Sequence, residues 1–412
     1  MTLELCIVGA GECFENYYLP ANAALSKEGV SAITTVIDIR SQSELKIPPN
    51  ATFIQRQRPD QPLSELLVRR EPNLVVLSHP NSFHLPDAEE LVDKGYKVLL
   101  EKPFALNIPE ISRVDALLKT GNLGLVEYYL FGKTIPLHIF SGAVQSAIYT
   151  SIPGLLTGDV EALRWNEGRL KQVIGEILSI QTEVLEGEGR TGSILHRNDD
   201  LSVARNGGGM LQDIGIHALT PVTALKHLIG ELRYIRPPFG VAVCEEHLEH
   251  FTAKGYSPKE VAETYASVGM DIGGRIPLSL VVGKYVLGGP EHGRNQRRLL
   301  ILGTKGRIDV DMSKCEMAVY EGESLEPRWK VGVNRVDFPR YYIVLRTAFA
   351  EMEADSQRTL TNAAIDGQFH TLKMVDTARV VYGQMPTYKW GAEVHEINRS
   401  IEDQFLARRR LV

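Results

Sequence analysis

A chain of 412 residues is too long for one ordinary core, so two domains are expected. With 43% hydrophobic residues, 23% charged residues and a formal net charge of -6, the composition is that of a globular protein with no attraction to polyanions, which argues against a nucleic-acid partner. No run approaches the roughly twenty apolar residues of a membrane span, and no basic, apolar leader precedes Leu3, so a cytoplasmic protein without a membrane partner is expected.

Leu3 to Val8 reads as a buried strand running into Gly9-Ala10-Gly11-Glu12-Cys13-Phe14 and then a helical pattern through Leu25. Glycines after a strand let the chain turn sharply and bring backbone N–H groups to a pyrophosphate at a helix N-terminus. Gly9, Gly11, Glu12, Cys13 and Phe14 are therefore candidate cofactor-binding residues. Phe14 stands where such loops usually carry a third small residue, which weakens the fingerprint. The next strand, Val30 to Ile37, ends at Asp38-Ile39-Arg40. Asp38 has the spacing of the carboxylate that binds the adenosine ribose of NAD. Arg40 could instead hold the 2′-phosphate of NADP or stack on adenine. A carboxylate repels a phosphate, so NAD is favoured and NADP kept open; a plain surface Asp–Arg pair is the alternative.

A short strand at Thr52 to Gln55, a helix from Leu63 to Arg70 and a strand from Leu74 to Ser78 follow. They lead to His79-Pro80-Asn81-Ser82-Phe83-His84, a helix to Lys94, and a strand from Lys97 to Leu100 that delivers Glu101-Lys102-Pro103. Alternation of strand and helix predicts a doubly wound parallel sheet, whose carboxyl-end loops face the cofactor. Ser78, His79, Asn81, His84, Glu101 and Lys102 join the cofactor candidates on that ground. Lysine is costly to bury, and one placed directly after a strand has a partner or a task. A helix from Ile108 to Lys119 and a strand from Leu123 to Leu130 are expected to close the first domain near residue 125. The segment from Thr134 to Arg169, rich in proline, glycine and apolar residues, reads as a lid, an oligomer contact or a helical insertion.

Beyond Glu176, alternating runs at Ile177 to Leu185, Ala266 to Ile272, Leu278 to Leu287, Leu299 to Leu302, Ile308 to Met312 and Glu316 to Tyr320 predict a largely antiparallel sheet. Its open face would suit a homo-oligomer. Helices are expected at Tyr342 to Met352 and His370 to Tyr382. Within this half, Gly207-Gly208-Gly209 precede a helix carrying Asp213 and His217 at i and i+4, a spacing that places both on one helical face. Histidine titrates near neutrality and a carboxylate one turn away stabilises its charged form, so the pair suits proton transfer; a surface Asp–His pair is the alternative. His247-Leu248-Glu249-His250 has metal-like spacing, but the flanking Glu245 and Glu246 make it a solvated face, and no metal is expected. Arg190, His196, Arg197 and Asp199 could reach a polyol or anionic substrate. The four cysteines, Cys6, Cys13, Cys244 and Cys315, lack paired spacing and read as reduced thiols.

Gly9-Ala10-Gly11, His79-Pro80-Asn81 with His84, Glu101-Lys102-Pro103, the glycine run leading to Asp213 and His217, and Leu302-Gly303-Thr304-Lys305-Gly306 together resemble the Gfo/Idh/MocA oxidoreductase family. The resemblance implies an N-terminal Rossmann domain, residues 1–125, and a C-terminal α/β domain, residues 126–412, with a large, mostly antiparallel open sheet that mediates homodimers or homotetramers. It implies reversible hydride transfer between a nicotinamide, NAD or NADP, and a secondary alcohol of a sugar or cyclitol. Lys102 would contact the reacting hydroxyl, His217 would exchange the proton with Asp213 assisting, and the Lys102-Pro103 peptide would be cis. Two other functions fit such a chain: a non-catalytic dinucleotide-binding regulator, which would not need Lys102, Asp213 and His217, and a redox-neutral NAD-dependent glycoside hydrolase.

Overall fold

The computed structural model describes residues 2–68, 71–132, 135–142, 152–186, 208–284, 286–287, 296–354, 361–381 and 385–409. The chain forms two compact units, one of residues 1–134, 146–156 and 333–365 and the other of residues 135–145, 157–332 and 366–412. Arg190, His196, Arg197, Asp199, Gly207 and, within the Thr134 to Arg169 segment, Thr134 and residues 143–151 lie outside the described residues; the rest of that segment holds the helices Pro136–Ser141 and Val160–Trp165 and a short strand.

The first unit is built on six parallel strands, β1 Leu3–Val8, β2 Ser31–Asp38, β3 Thr52–Gln55, β4 Leu74–Leu77, β5 Val98–Leu100 and β6 Leu123–Leu125, in the order β3-β2-β1-β4-β5-β6. A parallel sheet is covered on both faces, which is why Leu5 to Val8 and Leu74 to Leu77 are continuous apolar runs and are almost wholly buried. The order reverses between β1 and β4, and ligands of such sheets bind outside the carboxyl ends at that reversal. Gly9 sits there with φ +93°, and a Cβ on it would lie 2.6 Å from the backbone nitrogen of His79. Only glycine permits both the dihedral and the approach of the two strand ends.

The helical run after Gly11 opens with a π-helical turn, Phe14–Tyr18, before the regular helix Leu19–Lys27. Phe14, placed where a small residue was expected, is fully buried. Asn107 caps the helix Ile108–Leu118 by accepting the N–H of Glu110 at 3.0 Å, and Pro109 fits the first turn because no helical partner is lost there. The helix Tyr342–Ala354 closes the unit, with Tyr342 and Arg346 both donating to Glu28. One expectation fails: the strand ends at Leu125, and Val126–Gly132 is a helix. Its run of Tyr128, Tyr129, Leu130 and Phe131 is buried on every side, and unbroken apolarity does not separate a buried helix from a strand.

The second unit is organised by a ten-stranded sheet. In chain order its strands are β7 Leu156–Gly158, β8 Ile177–Glu186, β9 Leu232–Cys244, β10 Tyr265–Ile272, β11 Ile276–Lys284, β13 Gln296–Gly303, β14 Gly306–Asp311, β15 Glu316–Glu321, β16 Trp329–Val333 and β17 Thr387–Tyr388. The spatial order is β17-β9-β10-β11-β8-β13-β14-β15-β16-β7, while β12 Val286–Leu287 pairs with β18 Ala392–Glu393 in a separate ribbon. The sheet is mostly antiparallel as expected, with parallel exceptions where β8 meets β11 and β9 meets β17. The thirteen-residue β9 escaped the sequence pattern because Pro237 and Pro238 interrupt it. The register steps from Phe239 opposite Val268 to Arg236 opposite Gly269, so the prolines occupy an irregularity where no ladder partner is needed.

One face buries Ile180, Thr182, Val184, Leu278, Leu280, Leu299 and Ile301. The helix Ile216–Thr223 lies against it, with the Thr182 hydroxyl donating to the carbonyl of Ala218 at 3.2 Å. The other face alternates half-buried Leu300 and Leu302 with charged residues, including the pair Arg298–Asp309 at 2.5 Å.

Substituting Gly9→Ala is expected to destabilise the protein by about 2 kcal/mol or more through the positive φ alone. Backbone overlap with His79 adds to that, and urea denaturation measures the loss.

Candidate functional site

In the first unit the predicted residues converge on the carboxyl edge of the parallel sheet. At the end of β2, Asp38 accepts the N–H of Ala10 at 2.7 Å and the backbone N–H of Arg40 at 2.9 Å. The Arg40 guanidinium completes the set with Nε at 3.0 Å and Nη2 at 2.9 Å. Burial works to raise the Asp38 carboxyl, but the bonds from Arg40 and Ala10 hold it below the usual carboxylate range. At the end of β4 the Ser78 hydroxyl donates to the carbonyl of Gly9 at 2.7 Å, fastening that loop to the glycine turn.

His79 and His84 stack with ring centroids 5.3 Å apart. His79 Nε2 lies 2.6 Å from Asp87, whose carboxylate also receives both Nη groups of Arg56 at 2.7 and 3.0 Å. His84 is buried, with Nδ1 2.9 Å from the carbonyl of Pro103 and Nε2 2.8 Å from that of His79. It therefore spans the His79-Pro80-Asn81 loop and the Glu101-Lys102-Pro103 loop. Burial, then the neighbouring His79, push it down to about 3, so the ring is neutral near pH 7.

Glu101 is buried at the end of β5 and stitches its loop to the glycine turn. Its Oε1 accepts from the Tyr18 hydroxyl at 2.8 Å and the Cys13 thiol at 3.3 Å. Burial, then the Glu101 charge, push both the Cys13 thiol and the Tyr18 phenol well above their ordinary values, keeping them protonated donors. Tyr341 packs edge-on against Tyr18, centroids 4.9 Å apart, and stacks on Tyr17 at 5.0 Å. Lys102 is half-buried, its charge acts on Cys13 and His84, and its bond to Pro103 is cis as the resemblance implied.

These residues fit a dinucleotide. The glycine turn packs Gly9 against the His79 backbone, leaves open space at Gly11 where a Cβ would meet nothing within 4 Å, and a helical run starts immediately after it. Beside it, His79 Nδ1 and Asn81 Nδ2 are buried polar atoms without a hydrogen-bond partner, the condition expected of groups that a ligand satisfies.

In the second unit, Gly209 has φ +115°, and a Cβ there would fall 2.5 Å from the Glu263 carboxylate. That carboxylate accepts the N–H of Leu211 at 3.0 Å, so the glycine makes room for a buried cap on the helix carrying Asp213 and His217. The first turn, Leu211–Gly215, is π-helical, and His217 follows in the regular helix, so the i, i+4 spacing assumed from the sequence crosses a change of helix type. Asp213 and His217 are both buried, and Asp213 Oδ2 accepts from Lys284 Nζ at 2.7 Å. Lys284 lies 3.7 Å from Glu186, which receives Arg297 at 3.2 Å, forming a buried chain of alternating charge at the ends of β8, β11 and β13. The sequence reading missed Lys284 and Glu263; the signal for Lys284 was a lone lysine in the apolar run Leu278 to Leu287. Among the described residues no His, Cys, Asp and Glu cluster could hold a metal.

The strand order and the glycine turn of the first unit are those of a dinucleotide-binding Rossmann domain. Residues 3–128 match the Gfo/Idh/MocA model, described as the oxidoreductase family with an NAD-binding Rossmann fold. Over 227 residues the chain is 27% identical to the putative UDP-kanosamine synthase oxidoreductase subunit of Amycolatopsis mediterranei (strain S699), a match spanning 55% of this chain and about half, 52%, of that relative. Among solved structures, a 3-ketoreductase from Actinomadura kijaniata in complex with TDP-benzene and NADP superposes with a TM-score of 0.60 at 14% identity, covering 91% of this chain and 98% of that one. The WlbA dehydrogenase from Bordetella pertussis in complex with NADH and UDP-GlcNAcA gives 0.59 at 13% identity, covering 92% and 96%. At such identities these two report a shared fold.

His84 is neutral when folded and takes a proton when unfolded below its ordinary value of 6.5. Its contribution is therefore intact above pH 6.5 and erodes as pH falls from 6.5 toward 3, with a slope approaching 1.4 kcal/mol per pH unit. Urea denaturation across this range is expected to show a shallower loss in His84→Gln than in wild type. In the second unit, Lys284→Met would leave two buried carboxylates short of a cation and cost about 3–5 kcal/mol, part of which a second change, Asp213→Asn, should restore.

Proposed function

We propose that the protein is an NAD(P)-dependent dehydrogenase or ketoreductase that transfers a hydride between nicotinamide and a secondary alcohol or ketone on a sugar, sugar derivative or cyclitol. The observation that carries this reading is Lys102, a half-buried cation at the carboxyl end of β5 whose charge acts on Cys13 of the glycine turn and on His84, at the same sheet edge as the unsatisfied His79 and Asn81. The named activities of the relatives, a UDP-kanosamine synthase subunit and a 3-ketoreductase, support a sugar-nucleotide substrate.

The bound nicotinamide supplies the hydride acceptor or donor. Oxidation of an alcohol also releases a proton, so the developing alkoxide needs a cation and the proton needs an acceptor. Lys102 takes the first task. His217 exchanges the proton, and Asp213, which accepts from Lys284, assists it. Gly11, Glu12 and Cys13 offer backbone amides to the pyrophosphate, Gly9, whose own N–H is donated to the carbonyl of Ile37, shapes the turn that presents them, and Phe14 fixes the start of the helix behind them. Ser78, Glu101 and His84 brace the loops that carry His79, Asn81 and Lys102. Residues 1–125 serve cofactor binding, and residues 126–412 serve substrate binding and assembly into a homodimer or homotetramer through the open sheet face. No described helix is long and apolar enough to cross a membrane, and we place the enzyme in the cytoplasm.

Absorbance at the reduced-nicotinamide band over a panel of nucleotide sugars, free sugars and cyclitols tests this reading. Lys102→Ala and His217→Ala should each lower kcat by about 10²-fold or more, with dinucleotide binding retained in His217→Ala. Tight dinucleotide binding without turnover on any substrate would refute the dehydrogenase assignment.

A further inference from the structure

We infer that Arg40 makes this site select NADP(H) over NAD(H), because the carboxylate that would bind an unphosphorylated ribose is already filled by the protein. The inference rests on the dinucleotide-binding reading of residues 3–128 and concerns only the ribose end of that site.

A carboxylate offers about four lone-pair positions. In Asp38 all four are used: Oδ1 by the backbone N–H and Nε of Arg40, Oδ2 by the N–H of Ala10 and Nη2 of Arg40. The side chain is 5% exposed, so nothing else reaches it without displacing one of these donors. A ribose diol seeking Asp38 would have to evict a guanidinium bound in two-point, charge-assisted fashion. The repulsion expected between Asp38 and a 2′-phosphate is removed by the same contact, since the pair is locally neutral.

Arg40 is 44% exposed and has five N–H donors, of which its grip on Asp38 uses two. Three remain on the other edges of the plane, a fork suited to phosphate oxygens. Two further carboxylates face Arg40, those of Glu15 and Glu44. Glu15 is paired with Lys46 at 2.5 Å, and Glu44 is turned onto the backbone N–H and hydroxyl of Ser41 at 2.9 and 2.6 Å. Glu44 is solvated, and solvated charge is screened over the distances at which a direct guanidinium–phosphate contact is not. Direct contact therefore outweighs its opposition.

The test is calorimetric titration of the full chain with NADP+, NAD+, adenosine 2′,5′-bisphosphate and AMP, for wild type, Arg40→Ala and Arg40→Lys, with thermal unfolding to confirm that each variant is folded. Wild type should bind NADP+ at least tenfold tighter than NAD+, and the bisphosphate tighter than AMP. Arg40→Ala should lose tenfold or more for the two 2′-phosphorylated ligands while NAD+ binding is unchanged or improved, because Asp38 is released. Arg40→Lys, which cannot make the two-point contact, should fall between. Equal or tighter wild-type binding of NAD+, or an equal loss for all four ligands in Arg40→Ala, would overturn the inference while leaving the dinucleotide site intact. No binding of any ligand to wild type would overturn the dinucleotide reading itself and this inference with it.

Discussion

The close approach of β1 and β4 at Gly9 is the constraint on which the first unit's site depends. With a Cβ held 2.6 Å from the His79 backbone, the strand ends could not come together. The Ser78 hydroxyl could then not reach the Gly9 carbonyl, and the helical run could not start where the dinucleotide phosphates need it. Around that fixed point the loops are joined by side chains rather than by further secondary structure. Asp38 binds the turn to β2, Glu101 binds it to the β5 loop, and the neutral His84 ring lies between carbonyls of the β4 and β5 loops, its one N–H bonding one of the two. Each connection is a buried, directional contact, and such contacts hold a site more closely than apolar packing alone.

The second unit reaches a comparable end by electrostatics. Lys284 contacts Asp213 and approaches Glu186, and Arg297 contacts Glu186, so two cations and two anions share one buried region. Removing water makes each uncompensated charge expensive, and the arrangement is tolerable only as a set. One consequence concerns His247, which burial and then the Lys284 charge push down to about 3. The metal-like His247–His250 spacing thus belongs to a neutral buried imidazole beside a cation, packed on Phe251 with centroids 4.9 Å apart.

What the sequence made legible was local. Strand periodicity placed β1, β3 and most of β8, β10, β11, β13, β14 and β15 to within a few residues, because each is settled by alternation or by an unbroken apolar run. The glycine turn, Asp38, Arg40 and the Glu101-Lys102-Pro103 loop were visible because they sit at fixed offsets from strand ends. The Arg56–Asp87–His79 group was not, since its members are 31 and 8 residues apart and lie on elements whose spacing carries no sign of contact. Glu263 lies 52 residues from the N–H it caps, and only the fold reveals why Gly209 precedes that helix. β9 was lost to its two prolines, which sequence rules exclude from central strands and the structure admits at an irregular step.

The Asp38–Arg40 pair marks the limit of motif reasoning most clearly. As letters, an acid and a base two residues apart at the end of β2 point to opposite cofactors, and a charge argument on the isolated carboxylate favours NAD. Geometry changes the premise: the acid is not isolated but saturated, and its charge is spent on holding the base in place. A residue type at a fixed offset states which interactions are available. Which one remains for a ligand depends on what the protein has already used, and at Asp38 every acceptor position is taken before a ribose arrives.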